Sequence, residues 1–112
     1  MFWVRYHLRH LKAWREAVKA VADAVKSLGL DADVYVIGGA AERRLTVLSD
    51  IDVLVCVDES CGVDLWELRR RILTRAMDEH GLPWDYPIEL HILVRRECEK
   101  LLKSLKVIPV KA

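Results

Sequence analysis

Two aspartates and a glutamate are spaced here for work on phosphate. Asp50 and Asp52 are two residues apart at the head of the run Asp-Ile-Asp-Val-Leu-Val-Cys-Val, which is apolar after its acidic start. Alternate side chains of a strand share a face, so the pair would project together with Cα atoms roughly 6.6 Å apart. Two carboxylates placed this way can converge on one cation. Hard oxygen donors suit Mg²⁺, which uses one or two carboxylates and fills its octahedron with water and substrate phosphate. Glu89 and His91 are likewise two apart in Tyr86-Pro-Ile-Glu-Leu-His-Ile-Leu-Val. If that strand lies beside the first, Glu89 supplies a third carboxylate, enough for two-metal phosphoryl chemistry. His91 can be read as a base, a ligand or a satisfied surface histidine.

Gly38-Gly39 closes the β-branched run Asp-Val-Tyr-Val-Ile, with ten residues separating Gly39 from Asp50. Without a Cβ, backbone N–H groups there can approach a phosphate closely, although glycines at a strand end also serve simply as a turn. Between the glycines and the aspartates, Arg43 and Arg44 could clamp phosphate or could line a solvated loop.

The elements that must hold these residues follow from periodicity. Apolar positions at Leu8, Leu11, Trp14, Val18, Val21, Val25 and Leu28 give one helical stripe, stopped by Gly29. A strand follows from Asp33, then a helical turn or loop over 40–48, then the strand from Asp50. Residues 64–80 carry a second stripe at Leu65, Leu68, Ile72 and Ala76, with a Glu67 to Arg71 pair on the polar side and Gly81 and Pro83 at its end. The third strand runs from Tyr86, a short helix covers 96–105, and Val107-Ile-Pro-Val forms a tail or an edge strand. The order α, β, β, α, β, α predicts an α/β (α+β) fold, a small mixed sheet packed with helices.

The chain has 112 residues, 53% apolar and 31% charged, with a net charge of +1. One domain over residues 1–112 is expected, with no disordered composition. A near-neutral balance argues against nucleic acid as a partner. The Arg69-Arg70-Arg71 and Arg75 patch therefore reads as a solvated face. No apolar run approaches the ~18 residues needed to span a bilayer, and the amino terminus has no signal-peptide core, so a cytoplasmic protein is expected. Cys56, Cys61 and Cys98 form no CxxC pair. Reduced thiols are the expectation, with Cys56 in the core. Trp14 reads as core, and Trp3, Trp66 and Trp84 as interface candidates.

Gly38-Gly39, followed by Ser49-Asp50-Ile51-Asp52 and an apolar strand, resembles the signature of the DNA polymerase β-like nucleotidyltransferase superfamily, and the length is similar to its minimal members. The resemblance covers about residues 33–94. It implies that Asp50 and Asp52 hold metal, two Mg²⁺ ions in the family pattern, with Glu89 as third carboxylate. It also implies that Gly38, Gly39 and Ser49 contact the triphosphate. Gly39 stands where the family often has serine, so backbone groups would serve there, and Glu89 is one methylene longer than the family's frequent aspartate. The implied reaction moves a nucleoside monophosphate from a nucleoside triphosphate, ATP foremost, to an acceptor hydroxyl. A chain of this length would lack an acceptor-gripping domain, so the acceptor would come on a partner or across a homodimer interface. Minimal members are commonly paired with a small helical HEPN protein in toxin–antitoxin modules, where a partner tyrosine can be the acceptor. Two alternatives accompany this reading. One is a non-catalytic module that holds nucleotide or neutralises a partner by contact. The other is transfer to an RNA end or a small molecule.

Overall fold

The computed structural model describes residues 14–41, 50–62 and 64–111. Helix α1 is Trp14–Ser27, β1 is Ala32–Ile37, α2 is the four-residue turn Gly38–Ala41 and β2 is Ile51–Val57. A 3₁₀ turn at Glu59–Cys61 leads to α3 at Leu65–Glu79, then β3 at Ile88–Val94, α4 at Arg95–Leu102 and β4 at Ile108–Val110. The tail of the chain is therefore an edge strand. The sequence positions Leu8, Leu11 and Trp3 lie outside the described residues.

The four strands lie in the order β3-β2-β1-β4. Strand β1 pairs antiparallel with both β2 and β4, whereas β2 and β3 run parallel, joined by the crossover through α3. Central β2 is apolar at every position but one because both of its faces are covered. Ile51, Val53, Leu54, Val55, Cys56 and Val57 are all buried, and Asp52 is the exception.

Strand alternation divides the core. Ile51, Val53, Val55 and Val57 face α1 and α3, meeting Val18, Val21, Val25, Leu68, Ile72 and Ala76 in the larger cluster. Leu54 and Cys56 face the other side, where α4 brings Cys98. Helix α1 buries its valine and alanine stripe and ends where Gly29, at φ 72°, turns the chain. Helix α3 starts at Asp64, whose carboxylate accepts the Trp66 N–H at 2.9 Å, a side-chain cap for an otherwise unsatisfied donor. Its polar face carries the expected Glu67 to Arg71 pair, 3.4 Å apart, and Arg75 meets Glu79 at 3.0 Å. The arginine patch is thus a solvated, internally paired face at these positions.

The cysteines differ from the sequence expectation. Cys56 and Cys98 form a disulfide between β2 and α4, with Cα atoms 6.0 Å apart. Nothing in a 42-residue separation reveals this; the link arises because α4 folds back over the β2 face that carries Cys56. Arg95, at the start of α4, also ties the helix to the residue that precedes β1, donating to both Asp31 oxygens at 2.9 and 3.3 Å. That guanidinium holds the Asp31 carboxyl below the usual carboxylate range. No helix among the described residues is long and apolar enough to cross a membrane.

Candidate active site

The face of the sheet beneath α4 is covered toward the carboxyl ends of β2 and β3, where Cys56 and Cys98 meet. Its opposite end is where the acidic residues cluster. Asp52 lies opposite Ile37 of β1 and opposite Glu89 of β3 in the parallel ladder. Because adjacent strands are about 4.8 Å apart, a register pair brings the two carboxylates onto one face as near neighbours. The start of β2 is pinned beside the start of β3 by the Ile51 N–H, which donates to the Pro87 carbonyl at 2.8 Å.

His91 follows Glu89 by two residues on the same face. Its Nε2 stands 3.4 Å from Asp52 Oδ1 and 3.9 Å from Glu89 Oε1. One ligand atom from each of Asp52, Glu89 and His91 lies within 4.8 Å of the others, the only such metal-competent grouping among the described residues. Side-chain exposure grades from 29% at Asp52 through 40% at His91 to 55% at Glu89, so Asp52 forms the floor and Glu89 the rim.

Gly38 adjoins the floor. It adopts φ 70°, a left-handed conformation, and a Cβ built there would lie 2.6 Å from Asp52 Oδ2. A side chain at 38 would occupy the space beside that oxygen, and glycine leaves it open. The grouping of two carboxylates and an imidazole suits a divalent cation with substrate oxygens as further ligands.

Of the residues singled out from sequence, the structure brings together Asp52 and Glu89, with Gly38 against Asp52. Asp50 is exposed, precedes the first ladder residue and is not a member of the close grouping. Gly39 is the second residue of α2. Arg43, Arg44 and Ser49 lie outside the described residues. His91 is the residue whose place the sequence left open. Its spacing from Glu89 was the available signal, but only the β2–β3 register shows that it reaches Asp52.

Beside the cluster runs a groove of 660 Å³ between α3, β3 and α4, lined by Trp66, Arg69, Glu89, His91, Leu101 and Leu105 among others. Arg69 donates from Nε to the Leu90 carbonyl at 3.2 Å, fixing its guanidinium along the β3 edge.

The fold and the sequence place this arrangement among known proteins. A crystal structure of a Sulfolobus solfataricus protein described as a candidate nucleotidyltransferase superposes with a TM-score of 0.56 at 16% identity, covering 97% of this chain and 86% of that one. No curated protein sequence matches the chain. The model of the nucleotidyltransferase domain family matches residues 18–110, a span that holds every strand of the sheet and the whole acidic cluster. The chain therefore belongs to the nucleotidyltransferase domain family and is a nucleotidyltransferase enzyme.

Proposed function

We propose that this enzyme, acting as one domain over residues 1–112, transfers a nucleoside monophosphate from ATP to an acceptor hydroxyl, with pyrophosphate leaving. The observation that carries the reading is the register pairing of Asp52, the only charged residue of β2, with Glu89, Asp52 lying against Gly38. A carboxylate partly withdrawn from water in such a strand is costly unless it serves a charge partner. Asp50, Asp52 and Glu89 are assigned as metal holders, Mg²⁺ being the family's pattern. A bound divalent ion would acidify the acceptor hydroxyl and neutralise charge on the leaving pyrophosphate.

The remaining roles belong to the chain itself. The backbone at Gly38 and Gly39, with Ser49, Arg43 and Arg44, would seat the triphosphate and fix the α-phosphorus in line with the acceptor. The acceptor oxygen then bonds to the α-phosphorus as the bond to pyrophosphate breaks. The acceptor's proton passes to Glu89, the more exposed carboxylate. The groove beside Glu89 and His91 offers room for the acceptor. Exposed Trp66 and Trp84, 78% and 85% accessible, support delivery of that acceptor by a protein partner. A small helical protein of the HEPN type, presenting a tyrosine, would meet this need, and the pair would work as an antitoxin and its toxin.

The test is incubation with each labelled ribonucleoside triphosphate and Mg²⁺ or Mn²⁺, with and without a candidate helical partner, scoring label on protein and released pyrophosphate. Label with ATP that falls at least a hundredfold in Asp52→Asn is the expected outcome. Tight partner binding without label would instead favour a module that neutralises its partner by contact.

A further inference from the structure

We propose that His91 is a direct nitrogen ligand of this metal centre, and that the site consequently favours a transition-series ion of the Mn²⁺ type over Mg²⁺. This rests on the reading of Asp52 and Glu89 as metal holders and deepens it.

Four observations support the proposal. His91 directs the same atom, Nε2, toward both carboxylates, at 3.4 Å from Asp52 Oδ1 and 3.9 Å from Glu89 Oε1. Ligand atoms that share one ion at about 2.1 Å lie roughly 3.0–3.4 Å apart, so the Nε2–Asp52 separation of 3.4 Å is already in that range and the Nε2–Glu89 separation of 3.9 Å lies just beyond it. Second, all three residues project from paired strands rather than from loops, so their spacing is set by the ladder. Third, the close grouping holds two carboxylates, because Asp50 is outside it. The imidazole therefore adds a nitrogen donor directly to these two carboxylates. Fourth, Asp52 and Glu89 are the ring's only partners among the described residues, so no competing hydrogen bond turns Nε2 away.

The selectivity follows from donor chemistry. Mg²⁺ is satisfied by oxygen and gains little from imidazole, whereas Mn²⁺ accepts carboxylate, phosphate and imidazole ligands and stands above Mg²⁺ in affinity for nitrogen. If His91 acted only from outside the coordination sphere, donating a hydrogen bond to Asp52, its loss would weaken both ions alike.

Electron paramagnetic resonance of Mn²⁺ bound to the full chain without nucleotide separates these cases. The wild-type spectrum is expected to show electron spin-echo modulation from a directly coordinated ¹⁴N, lost in His91→Gln. That variant should bind Mn²⁺ about tenfold or more weakly, while Mg²⁺ affinity, read by competition, changes by less than about threefold. His91 is partly exposed, with 40% of its side chain accessible, so thermal melts should confirm a folded variant. Bound Mn²⁺ that is released by Asp52→Asn but shows no ¹⁴N coupling would overturn the His91 assignment and leave the carboxylate reading standing. Coupling that persists in His91→Gln would overturn it as well. Absence of Mn²⁺ binding by the wild type up to millimolar concentration would overturn both.

Discussion

Asp52 is the single charged residue in a strand whose other six side chains are buried, and its surroundings are arranged around one oxygen. Gly38 is the clearest sign of that arrangement, because its left-handed backbone and its approach to Asp52 Oδ2 both demand the absence of a side chain. Gly38→Ala should therefore carry two costs. Left-handed φ penalises any Cβ by about 1–2 kcal/mol, and contact at 2.6 Å forces the Asp52 carboxylate aside. Gly29 supplies a matched control, since it has φ +72° with nothing within 4 Å of a built Cβ. Urea unfolding should show similar destabilisation for Gly29→Ala and Gly38→Ala. Transfer activity should fall at least about tenfold only for the latter, since misplacing a catalytic group by about 1 Å is that costly or more. At this scale the sequence was partly legible. The two-residue spacing gave Asp52 and Glu89 a face, while Asp50 precedes the ladder, so the strand rule alone does not fix where its carboxylate lies. His91 obeyed the rule too, but an exposed histidine on an alternating strand has several ordinary explanations until the neighbouring strand is in place.

Among the elements, helical stripes and β-branched runs gave the end of α1, and α3 and the three longer strands to within a few residues, because each buries a face that its own period defines. The link between β2 and α4 was different. Cys56 and Cys98 are brought together by the β3–α4 turn and the parallel β2–β3 pairing, which no local pattern encodes. The sheet face they share is thinly covered, with Ile37 and Leu54 completing the small buried cluster. Helix α4 has one fully buried residue, Cys98, and is otherwise held by partly buried leucines and by Arg95. The disulfide should accordingly contribute much of its attachment. Closing a loop of this span lowers the entropy of the unfolded chain by an amount worth about 4 kcal/mol. Denaturant midpoints should drop when the protein is treated with dithiothreitol. Cys98→Ala should start near the reduced midpoint and ignore the reductant. A wild-type midpoint that does not move on reduction, with thiols shown to be free by labelling, would mean that packing alone holds α4.

At the scale of the molecule, the cluster depends on the start of β2 staying beside the start of β3, and that junction is held by the segment before β3. Tyr86 is central to it. Its N–H donates to the Pro83 carbonyl at 3.1 Å, its own carbonyl accepts from Ile88 at 2.8 Å, and its ring is buried in the larger core. Burial pushes the phenol up from 10.0 to about 12. The unfolded chain then releases this proton near pH 10 while the folded chain retains it until about pH 12. Below pH 10 both states hold the proton and stability is unaffected by it. Between the two values the unfolded state binds fewer protons, so stability falls as pH rises. Urea midpoints should therefore decline across this window, and Tyr86→Phe, which cannot ionise, should decline less steeply whatever its stability at neutral pH. Identical alkaline slopes for the two proteins would show that the phenol is not confined as the fold requires, and would detach the stability of the β2–β3 junction from the core beneath it.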